Sequence, residues 1–310
     1  MDHDQRFKTL IQVFFSEFLL LFFASWARRL HSAAVEWLDK EVFPDPPEGP
    51  RRVLDLVGKV ATHEEVSGSR EGEPGQFLAL VHIEIESPDK ATPLRPRMFR
   101  SYAQLRDKHG LPVLPIALYL KVGLDGVGID VYEEHFWELR PVHFEYLYVG
   151  LPALDAVQYV QGDNWLGVAL SALMRIPKDR VAWLGAEALR RLQGAPLTDQ
   201  QRFLLAECVQ AYLPLDEKQE REFEKLVATE PYQGVQAMNT TWFEKGIEKG
   251  IEKGIDKGRR ETIRELLEDH FASLPPDVDD RLQTMSIEQL KTLRKAIPNA
   301  ASLRELGLAD

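Results

Sequence analysis

Two short segments carry side chains whose types and spacing suit chemistry on a charged substrate: Val53-Leu54-Asp55-Leu56-Val57 and Val81-His82-Ile83-Glu84-Ile85-Glu86. Side chains of a strand alternate between faces, so His82, Glu84 and Glu86 share one face and Val81, Ile83 and Ile85 the other. With Asp55 on a neighbouring strand, three carboxylates converge within reach of one divalent cation, the donor set for metal-assisted phosphodiester hydrolysis. Oxygen donors without thiolates favour a hard ion, Mg²⁺ or else Mn²⁺. Each residue also has a plainer reading. An aspartate inside an apolar run needs its charge matched, which Arg51, Arg52 or Lys59 could do as a structural ion pair. Glu84 and Glu86 could line a solvated edge, and His82 could be a core histidine bonded to backbone. Like charges on adjacent strands nevertheless call for a cation between them. Glu17, set among Phe14, Phe15, Phe18 and Leu19, either faces solvent or reaches the site as an accessory carboxylate.

The elements that must position these groups are legible in outline. Helix is expected from Phe7 to about Phe23 and from Trp26 to Lys40, ending before Pro44-Asp45-Pro46-Pro47, since proline cannot continue a helix. Strands are expected over Arg51 to Val60 and Phe77 to Glu86, joined as a hairpin through the Gly- and Ser-rich stretch from Ser67 to Gly75. A helix follows from about Arg97 to Lys108, with Met98, Tyr102 and Leu105 on its apolar stripe and Gly110 as its stop. Val113 to Lys121 and Val127 to Tyr132 read as strands joined through a hairpin-type Asp125-Gly126 turn, and Phe144 to Val149 as a last short one. The order predicts an α/β core, a mixed central sheet flanked by helices, followed by helical regions.

The bulk numbers narrow the partners. The chain has 310 residues, more than one typical domain, and a net charge of −11, so contact with nucleic acid must be local rather than driven by overall charge. Arg97, Arg100, Arg106 and Lys108 form the locally basic segment, suited to phosphate, and Gln104 lies one turn beyond Arg100. The single cysteine, Cys208, excludes an intrachain disulfide and a thiolate cluster and fits a reducing cytoplasm. The apolar run Val13 to Phe23 is shorter than the roughly 20 residues a bilayer requires, and Ser16 and Glu17 interrupt it, so no membrane partner is expected. Beyond Pro152 the pattern is helical, with Thr198/Gln201 and Ser286/Gln289 at capping-box spacing. From Phe243 to Lys257 a four-residue Glu-Lys-Gly-Ile repeat sets Ile247, Ile251 and Ile255 on a drifting stripe. Its glycines weaken an isolated helix, so it reads either as a homo-oligomer contact or as a charged connector.

Leu54-Asp55-Leu56-Val57, then Leu80 through Ser87, then Arg97-Met98-Phe99-Arg100-Ser101-Tyr102-Ala103, resembles the recombination-promoting nuclease/transposase family within the PD-(D/E)XK nucleases. The Glu-Lys-Gly-Ile repeat resembles a linker found late in such chains, and Leu274-Pro275-Pro276 through Leu290 a small C-terminal helical domain. The resemblance implies four regions: a nuclease-like core over 1–150, a helical extension over 151–238, the repeat over 239–268, and the C-terminal domain over 269–310. It further implies a Mg²⁺-dependent DNA endonuclease in which Asp55 and Glu84 hold metal, and Glu86 stands where Lys or Gln is usual. A glutamate there cannot serve as the cation, but it can bind metal or act as a base. The positive charge would then come from the helix that follows, with Arg100 stabilising the phosphate, or the chain would be an impaired nuclease fold kept as an interaction module.

Overall fold

The computed structural model describes residues 3–38, 42–43, 52–72, 76–86, 93–232 and 234–235, together with separate stretches between 263 and 308. Residues 1–236 form one compact unit and residues 237–310 a second.

In the first unit the aromatic run becomes two helices rather than one, α1 (His3–Val13) and α2 (Phe15–Phe22), followed by a single turn α3 (Ala24–Ala27). The long helix expected over 26–40 does not form. Its place is taken by β1 (Glu36–Trp37), whose Trp37 packs edge-on against Phe15 with ring centroids 5.4 Å apart. Packing the half-buried Trp37 against Phe15, with β1 paired to β4 (Leu56–Thr62), outweighs a weak local helix preference. Phe14, Phe15, Phe18 and Leu19 are buried, and among the described residues no helix is long and apolar enough to cross a membrane.

After a small antiparallel pair, β2 (Val42–Phe43) and β3 (Arg52–Val53), the main strands are β4 (Leu56–Thr62), β5 (Arg70–Glu71) and β6 (Phe77–Glu86). Beyond them come α4 (Leu94–His109), β7 (Val113–Tyr119), β8 (Gly126–Phe136) and β9 (Leu139–Gly150). The sheet is mixed, in the order β1-β4-β6-β7-β9-β8, with β5 pairing the start of β6. β4 and β6 pair antiparallel as expected, whereas β6 and β7 are parallel. A parallel pair requires a crossover, which α4 supplies. The Asp125-Gly126 turn does not make a β7–β8 hairpin: β7 pairs parallel with β9, and β8 closes antiparallel on β9 as the outer strand. Gly150 allows this, because a Cβ there would lie 1.7 Å from the Leu124 carbonyl oxygen.

α4 lies over the face carrying the even-numbered residues of β6. Its buried stripe is Leu94, Arg97, Met98, Ser101 and Leu105. Met98 packs with Ala117, Tyr119 and Tyr146, and Leu105 with Val57, Leu80 and Val113. Gly110 ends the helix in the left-handed region at φ 63°, where a side chain would be strained. The helical part that follows comprises α5 (Ala156–Gln161), α6 (Trp165–Leu170), α7 (Val181–Gln193), α8 (Asp199–Tyr212) and α9 (Glu217–Val227). It packs on the N-terminal helices through Phe7 against Tyr212 and Asn164 Nδ2 donating to the Glu17 carbonyl at 2.9 Å. The expected boundary at residue 150 is therefore not a division between compact units. The Thr198/Gln201 capping box is present, and a second, Asp216/Gln219, caps α9.

The second unit has its own apolar cluster, in which Ile263 and Leu267 pack with Leu290, Leu293 and Ile297. An expected boundary at 268 falls inside that cluster. The Glu-Lys-Gly-Ile repeat up to Lys257, Pro275-Pro276 and Ser286 lie outside the described residues.

Candidate functional site

The register of β4 on β6 decides where the acids go. Leu56 lies opposite Ile83 and Val57 opposite His82, so continuing the ladder by one residue sets Asp55 opposite Glu84, on the same face. Asp55 Oδ2 accepts the Ile85 backbone N–H at 2.8 Å, which fixes the carboxylate against β6 in the residue just before β4. Its cation comes from far away in sequence: Lys8 Nζ, on α1, stands 3.0 Å from Asp55 Oδ1. Lys59, one of the expected partners, pairs with Glu36 instead, and the side chains of Arg51 and Arg52 lie outside the described residues.

Glu84 and Glu86 are no solvated edge: they are 4% and 8% exposed. Both meet Arg97, which α4 brings down onto them and which is 6% exposed. Arg97 Nε lies 3.0 Å from Glu84 Oε1, and a terminal guanidinium nitrogen donates to Glu86 Oε2. His82 is fully buried, and its Nε2 lies 3.2 Å from Glu84 Oε2, so its partner is a carboxylate rather than backbone. Three acids, two cations and a histidine thus gather beneath α4, with the protein's own charges matched at close range. Such matching is what buried carboxylates require.

The other expected residues scatter. The expected phosphate contact Arg97 is buried in the cluster, because at 100° per residue it falls on the same stripe as Leu94, Met98 and Ser101. Arg100 is exposed, its Nε donating to the Pro96 carbonyl at 3.4 Å. Arg106 projects from the opposite side of α4 toward the turn at Gly68, and Lys108 is exposed in the last helical turn. The four cations therefore do not form one row. Gln104 is half-buried, with Oε1 unpartnered among the described residues. Glu17 is half-buried on α2 and its carboxyl makes no hydrogen bond or ion pair with the acids among the described residues.

A second network, unforeseen from sequence, flanks the first. Arg95 grips Asp130 with two bonds of 2.9 Å, and the Tyr146 hydroxyl donates to the same carboxylate. Burial alone would raise the Asp130 carboxyl, but the hydrogen bonds from Arg95 and Tyr146 outweigh it and hold the group below its usual value. Burial, then the bond to Asp130, pushes the Tyr146 hydroxyl up; burial likewise raises Tyr119, which is bonded to Tyr146 and feels the charge of Glu86. Asp130 and Tyr146 face each other across β8 and β9, and Glu86 faces Tyr119 across β6 and β7, so the networks share one sheet face.

Three carboxylates are a fitting donor chemistry for a hard divalent cation. Their oxygens, however, are engaged by Arg97, Lys8 and His82, and among the described residues no group of three or more His, Cys, Asp or Glu side chains is disposed to hold an ion. Comparison of the chain with protein-family models, curated proteins and solved structures returned no match.

Proposed function

We propose that the protein is a Mg²⁺-dependent DNA endonuclease with a PD-(D/E)XK-type core, of the recombination-promoting kind. The observation that carries this reading is the placement of Asp55, the residue just ahead of β4, against Glu84 of the antiparallel neighbour β6, with Glu86 on the same face beneath a helix that supplies arginine. Asp55 and Glu84 would hold the ion and Glu86 assist; when bound it supplies positive charge to the phosphate and acidifies water. The chain's own part is to hold those carboxylates on a rigid strand pair, with the Asp55 carboxylate fixed by the Ile85 N–H, and to present Arg100 at the surface one turn from Arg97. Charge on that turn favours a phosphate backbone irrespective of sequence.

A second reading is supported by the Arg97 contacts. A guanidinium seated on both Glu84 and Glu86 suits a nuclease fold that no longer cleaves and serves as an interaction module. Plasmid nicking separates the two. Purified full-length protein with Mg²⁺ or Mn²⁺ should convert supercoiled DNA to open circles, and Asp55→Asn or Glu84→Gln should lower the rate by about a hundredfold or more. Supercoiled and linear DNA left intact by folded protein in both ions would establish the module reading instead.

A further inference from the structure

Two arginines from separate parts of the chain converge at the far end of α4, with no acid among the described residues to answer them. The turn leading into β5 is closed by the Ser69 N–H, which donates to the Val66 carbonyl at 2.8 Å. Arg70, the first residue of β5, lays its guanidinium over Gly110, where a Cβ would come within 2.7 Å of Nη2. Arg106, one turn before that helix stop, reaches the opposite way, its Nη2 3.1 Å from the place of a Cβ on Gly68. Both glycines have left-handed backbone, Gly110 at φ 63° and Gly68 at φ 78°, so the bare surfaces on which the guanidiniums rest are required by the chain's own turns. Among the described residues neither guanidinium makes a hydrogen bond or ion pair, and Arg106 Nη1 is buried without a partner. Asp107, the acid in that helical turn, is exposed and pairs with neither.

A guanidinium stays charged at any working pH, and a buried donor left unmet is costly. The negative end of a helix draws cations, which accounts for Arg106, Lys108 and His109 in the last turn but leaves Arg106 Nη1 unmet. Beside the pair opens a recess of about 280 Å³ lined by Arg70, His109 and Lys59, whose acid Glu36 is taken by Lys59. We propose that this seam is a binding site for a phosphate oxyanion, clamped between Arg70 and Arg106 through charge-assisted hydrogen bonds. The oxyanion is either a phosphodiester of a DNA backbone or a free phosphate. With a net charge of −11 the chain repels both from most of its surface, so a seam of unanswered arginines decides where one settles. The seam lies about 14 Å along α4 from Arg97, at 1.5 Å per residue, so a backbone held here is anchored to the helix that covers the acids. Such a site serves a cleaving protein and a binding module alike, and cleavage is no part of its test.

Both sources are tested on the full-length chain in EDTA, with no metal present. A short fluorescein-labelled duplex is followed by anisotropy, and inorganic phosphate by titration calorimetry. The double variant Arg70→Gln, Arg106→Gln should weaken one probe at least about tenfold, and for the duplex should also lower the salt dependence. Arg221→Gln, which removes an exposed arginine from α9, should change either by no more than about twofold. Loss confined to the duplex identifies the DNA backbone as the source, and loss confined to phosphate identifies a free phosphate; each supports the site. A second measurement needs no variant: phenylglyoxal labelling mapped by mass spectrometry should slow at Arg70 and Arg106 when the probe saturates, and stay unchanged at Arg221. A parent that binds neither probe, a folded double variant that binds both as the parent does, a loss equalled by Arg221→Gln, or labelling of Arg70 and Arg106 that ignores a saturating probe overturns the proposal. None of these outcomes bears on the acids beneath α4, so the endonuclease reading stands or falls by the nicking assay alone.

Discussion

At the scale of single residues, the sheet face beneath α4 is governed by charge matching, and its pH behaviour follows. Asp130 is held below its usual carboxyl value by Arg95 and Tyr146. A depressed native value means that the unfolded chain binds the proton more tightly, so the stabilisation is fully present above the unfolded value of about 3.9 and is lost as pH falls through the native one. Asp130→Asn should therefore cost about 1–3 kcal/mol near neutrality and flatten the acid limb of stability against pH, measured by urea unfolding. Tyr146 acts with the opposite sign. Its raised value makes its contribution complete below about pH 10 and diminishing above it, so Tyr146→Phe should weaken the alkaline limb. The residue types of Asp55, Glu84 and Glu86 were visible in the sequence, but their partners were not. Lys8 is 47 positions from Asp55 in the chain (55 − 8), and no local pattern links them. Arg97 did leave a signal, since it falls three residues after Leu94 and one before Met98 on the stripe that α4 buries.

At the scale of elements, α4 is the piece on which the site depends, because it both covers the acids and delivers Arg97. Its anchor is Met98, fully buried against Ala117, Tyr119, Phe144 and Tyr146. Met98→Ala should cost about 2–5 kcal/mol, measured by chemical unfolding, and loosen Arg97 along with it. The end of α4 and the limits of β6 were readable from Gly110 and from the strand's alternation, whereas α4 begins at Leu94, three residues before the expected Arg97, because proline is tolerated in a helix's first turn and Pro96 does not delay it. The segment 26–40 was not readable, since its sequence permits helix and only the packing of Trp37 against Phe15 makes part of it a strand. The partner of β7 was equally hidden: a turn signal at Asp125-Gly126 marks a change of direction, not which strand lies alongside.

At the scale of the whole molecule, the sheet and the helices from Ala156 to Val227 belong to one unit, joined through the N-terminal helices. Cys208 reports on that unity. It is buried on α8 facing the Ala169 carbonyl of α6, and burial pushes its thiol up to about 12. Native protein at neutral pH should react with Ellman's reagent only as fast as the unit opens, and urea should restore the rate of a free thiol. Fast labelling without denaturant would contradict that packing.

Composition and spacing by themselves determined the mixed α/β class, the acid-bearing strand, the Thr198/Gln201 cap and the impossibility of an intrachain disulfide, because periodicity, caps and cysteine number are local properties. Tertiary structure alone decided that the acids are answered by Lys8 and Arg97, that β7 joins β9, and that the helical part shares a unit with the sheet. Those outcomes depend on which distant segments approach, and charge compensation in an interior is set by that approach rather than by neighbours along the chain.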